Sequence, residues 1–243
     1  MRFAILSDIH GNLEALQSVL KELDRIGYDA LIVLGDVVGY GADPSECIEI
    51  VKRRGAIVVK GNHDEAVVNV EERRFMNIYA KEAIEWTTSK LNEAQKIWLK
   101  NLPYRISPDD DFEITHAEWE NPENWTYIFD EYEAKYQFKF LEKETGFYGH
   151  THIPAIFQRD REGNLTKLDQ NELYLLRGHK YMINPGSVGQ PRDRDWRASF
   201  GIFDTDEKYF ELHRIEYDVK TAMKKIIDAG LPEALAYRLE IGY

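Results

Sequence analysis

Apolar and amphipathic stretches alternate through the first 60 residues. Phe3–Leu6 is a four-residue apolar run that gives way to Ser7 and Asp8, a length that suits a buried strand. Asn12 can cap the helix that follows. Its apolar positions Leu13, Leu16, Leu20, Leu23 and Ile26 share one face, and Gly27 ends it. Leu31–Leu34 repeats the strand signal. Asp43-Pro44-Ser45-Glu46 supplies a cap, a first-turn proline and a capping-box glutamate for a helix to about Arg54. Ala56–Val59 is a third apolar run. This β-α-β-α-β order predicts an α/β chain with parallel strands joined by right-handed crossovers.

Helical periodicity covers Glu71 to Lys100, with a second capping box at Asn92 and Gln95 and a stop at Pro103. The period then changes. Strands are predicted near 104–106, 112–115, 145–148, 154–158, 165–168, 173–176, 181–184, 199–204 and 209–215, each bounded by turn residues. Asp218–Ala229 reads as a late helix, with a shorter one after Pro232. Neither a low-complexity linker nor an internal repeat interrupts the chain, so 1–243 is expected to form one domain. The stretch 117–141 stands apart. It is rich in acids and in the aromatics Trp119, Trp125, Tyr127, Phe129, Tyr132 and Tyr136, and it reads as a helical insertion or lid. Its aromatics either pack against the domain or stack a nucleobase.

Composition narrows the classes of partner. Of 243 residues, 43% are hydrophobic, enough for a sizeable core and against disorder. The net charge of −12 disfavours extended nucleic acid and anionic membranes as partners. An anionic substrate then needs a local positive region, from metal ions or clustered arginines. Cys47 is the only cysteine, which excludes an intrachain disulfide and fits a reducing cytoplasm. It reads as a small core residue of its helix. The N-terminus lacks a signal-peptide pattern, and no apolar run approaches the roughly 20 residues that cross a bilayer. A cytoplasmic protein without a membrane partner is expected, with its oligomeric state open.

Candidate chemistry sits just after the strand-like runs. Asp8 and His10 follow the first, Asp36 the second, and Asn62 and His63 the third. His150 and His152 follow Phe147-Tyr148, and His116 follows the run at 112–115, with His179 and His213 as alternatives to it. In open α/β sheets, ligands bind beyond the carboxyl ends of the strands, so the fold would gather these segments at one edge. Mixed imidazole and carboxylate donors suit Zn, Mn, Fe or Ni rather than Ca or Mg. Each segment alone fits an ordinary turn. The set, in this order, points to a metal site.

In order, Asp8-Ile9-His10, Gly35-Asp36, Gly61-Asn62-His63-Asp64, His116 and Gly149-His150-Thr151-His152 resemble the signature of the calcineurin-like metallophosphoesterases. The resemblance runs to about residue 204. With the Asn184-Pro185-Gly186-Ser187 turn, it points to the small prokaryotic phosphodiesterase branch. It implies a two-sheet β-sandwich flanked by helices. It implies two transition-metal ions, manganese first, with iron, nickel or zinc as alternatives. Asp8, His10 and His152 would hold one ion, Asn62, His116 and His150 the other, and Asp36 would bridge. His63 would be the catalytic residue beside them. The implied activity is hydrolysis of a small phosphodiester, phosphomonoester or (di)nucleotide. The alternative is a non-catalytic metal-binding scaffold or interaction module of the same fold.

One departure matters. In the protein-phosphatase branch a second aspartate and an arginine follow Gly-Asp, whereas here Gly39 and Tyr40 take their places. The carboxylate that would orient His63 and the arginine that would grip substrate are both missing, which turns the expectation away from protein phosphatases. Arg192 and Arg197, in Pro191-Arg192-Asp193-Arg194-Asp195-Trp196-Arg197, are the candidate phosphate contacts because guanidinium forks bind phosphate oxygens in pairs. The aspartates between them compete for the same forks. Tyr40 is a third candidate for substrate contact.

Overall fold

Two six-stranded mixed sheets lie face to face in the computed structural model, which describes residues 1–243. The strands are β1 (Arg2–Leu6), β2 (Ala30–Val33), β3 (Ile57–Val58), β4 (Arg105–Ile106), β5 (Phe112–Thr115), β6 (Thr145–Phe147), β7 (Ala155–Arg159), β8 (Leu165–Leu168), β9 (Glu172–Tyr174), β10 (Lys180–Asn184), β11 (Ala198–Asp204) and β12 (Tyr209–Ile215). The helices are α1 (Leu13–Ile26), α2 (Pro44–Arg53), α3 (Asn62–Val68), α4 (Ile78–Lys90), α5 (Glu93–Lys100), α6 (Glu131–Gln137), α7 (Val219–Asp228) and α8 (Glu233–Ile241). One sheet runs β3-β2-β1-β11-β12-β9 and the other β4-β5-β6-β10-β7-β8. β1, β2 and β3 are mutually parallel, as are β5, β6 and β10.

Alternation along β1 shows how the layers form. Phe3 and Ile5 point between the sheets, where they meet Ile32, Phe112, Phe147 and Phe203. Ala4 and Leu6 point the other way, into a helical layer with Leu16, Val19, Leu20 and Leu23 of α1. Successive side chains on a strand face opposite ways, so a strand buried on both faces reads as an unbroken apolar run. The outer face of the second sheet is covered from the 117–141 stretch, where Trp119, Ile128, Phe138 and Leu141 pack on Tyr148, Phe157 and Met182. Cys47 is buried on α2, as expected.

Several local expectations hold in detail. The Asn12 side chain accepts from Ala15 N at 3.1 Å, and Gly27 takes a left-handed φ of 82° to end α1. The Asn92–Gln95 capping box closes both ways, at 3.2 and 3.0 Å.

Others need correcting. Asp43 precedes α2 but its side chain makes no capping bond. Its carboxylate is taken by Lys225 of α7, 2.9 Å away, because a charged partner outcompetes a backbone amide for it. The predicted helix from Glu71 to Lys100 is three elements. They are a 3-10 turn at Val70–Phe75, then α4, then α5, with Asn69 and Asn77 starting the first two. The stretch 117–141 is mostly irregular, with one 3-10 turn at Pro122–Asn124 and the two-turn α6.

Loops leaving β1, β2, β3, β5 and β6 emerge at one end of the sandwich. They carry Asp8 and His10, then Asp36, then Asn62 and His63, then His116, then His150 and His152.

Candidate metal centre

Two groups of side chains meet there with Asp36 common to both. Asp8, His10, Asp36 and His152 form one; Asp36, His116 and His150 form the other. All six are buried. Five of them hold left-handed backbone, with φ of 52° at Asp8, 51° at His10, 53° at Asp36, 66° at His150 and 59° at His152. That region costs an L-residue on the order of 1 kcal/mol or more, and its use at five ligand positions marks the loops as shaped for the site. Gly61 lets two of these loops touch: a Cβ there would run into the Asp36 carboxylate.

Hydrogen bonds settle which ring nitrogens face inward. His10 Nδ1 donates to Val38 O at 3.1 Å, His116 Nδ1 to Leu34 O at 2.6 Å, and His152 Nδ1 to Gln190 O at 2.6 Å. A neutral imidazole carries one N–H, so in the neutral rings these bonds leave each Nε2 as a bare acceptor. Yet His10 Nε2 and His152 Nε2 face each other at 3.1 Å. His116 Nε2 likewise faces His150 Nδ1 at 3.2 Å and Asn62 Oδ1 at 3.3 Å. Asp8 Oδ1 and Asp36 Oδ2 are buried with no hydrogen-bond partner. Asp36 Oδ2 lies 3.6 Å from His10 Nε2 and 3.5 Å from His116 Nε2. Acceptors converging on acceptors, with two orphaned carboxylate oxygens among them, are stable only around cations. The donor set therefore fits two metal ions sharing Asp36.

Without metal, a proton on the His116 ring would take the place of a cation beside Asp36. Burial works against ionisation of Asp8, yet His152 and His116 hold its carboxyl below the usual range. Burial also opposes ionisation of Asp36, and His116 and His63 outweigh it. Burial opposes a charge on His116, but Asp36 and then Asp8 push it up to about 9. The same negative field would favour a metal cation.

His63 lies beside the group, its ring 4.8 Å from that of His10 and 4.4 Å from that of Tyr40. Burial lowers its pKa to about 4, with Asp36 opposing. Its Nδ1 has no partner and is turned onto Gly39, where any Cβ would collide with it. His179 and His213 stay outside. His179 pairs with Gln158, and His213 with Glu211 at 3.2 Å.

The two arginines part company. Arg192 reaches Tyr40 Oη at 3.4 Å and Gln190 Oε1 at 3.0 Å, both neutral, and its buried Nε has no partner. Arg197 instead grips Asp195 through Nε at 2.9 Å and a terminal nitrogen at 2.6 Å, so an acid already holds its fork.

Two positioning features escape a reading of the sequence. Asp64 accepts four backbone N–H groups, from Asp36 (2.8 Å), Gly61 (3.0 Å), Val37 (3.0 Å) and Val38 (3.3 Å). It ties the Asp36 loop to α3. The Asn184–Gln190 turn ties the other loops. Asn184 Nδ2 donates to Gly149 O at 2.7 Å, Ser187 Oγ to Asp8 O at 2.8 Å, and Gln190 O receives His152. Only the carboxylate after Asn62-His63 could have flagged Asp64. Asp64→Asn would set amide N–H groups against backbone N–H groups. We expect a stability loss of about 2–4 kcal/mol in urea unfolding and metal affinity about 10–100-fold weaker. A variant binding metal like the parent would refute the positioning role.

A model of the calcineurin-like phosphoesterase superfamily domain matches residues 1–208. A Methanocaldococcus jannaschii protein described as uncharacterised is 41% identical over 242 residues, covering 98% of this chain and 97% of that one. The phosphodiesterase YfcE of Escherichia coli is 26% identical over 217 residues, covering 85% and 89%. The crystal structure of a metallophosphoesterase from Sphaerobacter thermophilus superimposes with a TM-score of 0.88 at 38% identity, over the whole of both chains.

Proposed function

The chain belongs to the calcineurin-like phosphoesterase superfamily, a family of metal-dependent hydrolases, and from that premise we propose that it cleaves a small phosphodiester or nucleotide ester. The observation that carries this reading is the pair of buried, unpartnered carboxylate oxygens aimed at bare ring nitrogens in two groups that share Asp36. Asp8, His10 and His152 would hold one ion, and Asn62, His116 and His150 the other, with Asp36 between them. Manganese is the first choice, with iron, nickel and zinc as alternatives for this donor set. Bound there, the pair supplies positive charge against the phosphoryl oxygens and acidifies water for in-line attack at phosphorus.

The chain's own groups do the rest. With Nδ1 packed onto Gly39, His63 has Nε2 free to meet the leaving oxygen and ease its developing charge through an N–H. Arg192 has no acid competing for its guanidinium and is the phosphate contact, with Tyr40 Oη beside it. Arg192→Gln is expected to raise KM for a phosphodiester about tenfold or more while kcat changes less; unchanged steady-state kinetics would remove Arg192 from substrate binding.

The testing experiment is hydrolysis of p-nitrophenyl phosphate against bis(p-nitrophenyl) phosphate, with chelated protein reloaded separately with Mn, Ni, Zn or Fe. Metal-restored turnover with the diester ahead is the expected result. No turnover with any ion would leave the scaffold alternative in its place.

A further inference from the structure

We propose that the cavity opening beside His63 and His150 is a nucleoside site, and that it takes the uncharged aromatic alcohol leaving the phosphorus. This rests on the phosphoester reading above and narrows its substrate. The cavity measures about 500 Å³ and includes Asn62, His63 and His150 in its wall. Ligand pockets begin at about 300 Å³, so it has room for a base and its sugar.

Aromatic side chains line it without filling it. Tyr127 lies flat on the His150 ring, 4.0 Å away and inclined by 20°, with Phe129 stacked on it at 5.0 Å, so its edge and hydroxyl rather than a ring face are left for the cavity. Trp125 sits edge-on to His116 at 5.9 Å and is held in a left-handed conformation with φ 56°. Its indole N–H is tied to Glu72 at 3.3 Å. Phe75, on the 3-10 turn before α4, is 85% exposed. A core would have covered these rings, as it covers Trp119 from the same stretch of chain. Aromatic surface left uncovered at Trp125 and Phe75, beside a phosphoryl site, is what base stacking requires.

Charge selects further. Glu72 and Glu123 are in the wall, and no lysine or arginine is. Arg192 lies against the Tyr40 ring, its guanidinium carbon 5.8 Å from the ring centre, and takes no part in the cavity. A leaving group bearing its own phosphates would meet two carboxylates and no cation, whereas a nucleoside meets aromatic faces and acceptors for its amino and hydroxyl groups. The preferred substrate is therefore a diester that releases a nucleoside, such as a dinucleotide with a single phosphate. A dinucleoside polyphosphate, which releases a nucleotide, is disfavoured.

The test uses metal-loaded protein with bis(p-nitrophenyl) phosphate as the reporter of turnover and adenosine as the probe. Adenosine is expected to compete with the reporter and to bind in calorimetry. Trp125→Ala and Phe75→Ala should each weaken adenosine about tenfold. Glu123→Lys should narrow the preference for a single-phosphate dinucleotide over diadenosine tetraphosphate by about tenfold, a change that a purely structural role would not produce. Reporter turnover with no competition by millimolar adenosine would overturn this assignment and leave the hydrolase standing. Variants that bind adenosine like the parent would overturn it as well. Adenosine bound by protein that hydrolyses no ester would keep the cavity as a nucleoside site and sink the phosphoester reading.

Discussion

Asp36→Asn is expected to lose both metal ions and at least about 10³-fold in turnover, since two-metal stabilisation is worth several kcal/mol and each 1.4 kcal/mol is tenfold in rate. The substitution is nearly isosteric, so shape is kept. The amide oxygen can replace Oδ1, which accepts from His63 N at 2.8 Å. The amide nitrogen must then occupy the place of Oδ2, between His10 Nε2 and His116 Nε2. There it can donate to either ring when that ring is neutral, and it repels cations. The chelated variant should therefore stay folded, less the ion pair between Asp36 and His116, while metal analysis finds it empty. If it retains the parent's metal content and rate, Asp36 is not the shared ligand.

His63→Ala should behave in the opposite way. Its backbone N–H still reaches Asp36 Oδ1, so the ligand loops stay in place and metal content should match the parent. What disappears is the imidazole beside the cavity, and kcat should fall about 10²- to 10⁴-fold. The size of the defect should depend on the substrate. p-Nitrophenolate leaves without a proton, whereas a sugar alkoxide needs help, so the loss should be larger for a dinucleotide than for bis(p-nitrophenyl) phosphate. Equal defects on the two substrates would argue that His63 acts on something other than the leaving oxygen.

The sequence carried the strands and most of the ligand loops because both are local. A four-residue apolar run followed by Asp-x-His is visible without knowing where anything else lies, and Asn12 and the Asn92–Gln95 pair cap helices through residues three positions apart. What it hid is long-range or short. α3 spans only seven residues, too few to show a period, and the Asn62-His63 pair that opens it looks like a loop. Asp43 was lost to Lys225, 182 residues away. Arg197 and Arg192 were equivalent as letters, and Asp195 decided between them. Within 117–141 nothing in the sequence separates buried Trp119 from Trp125 at the cavity, since that choice depends on which faces the second sheet leaves uncovered.

The left-handed backbone at Asp8, His10, Asp36, His150 and His152 has a consequence for how such a chain can change over generations. At each of these positions glycine would relax the main chain, and at the two acids it would also remove a buried charge. Against that gain stand the hydrogen bonds the side chains make, such as those of Ser7 Oγ and His150 N to Asp8 Oδ2 and of His63 N to Asp36 Oδ1. Selection for stability alone would therefore guard the centre only weakly, in keeping with the trade-off between activity and stability at strained sites. The descent from hydrolase to inert scaffold costs less folding free energy than five buried polar residues would suggest, and it is chiefly the reaction that holds a lineage to all five.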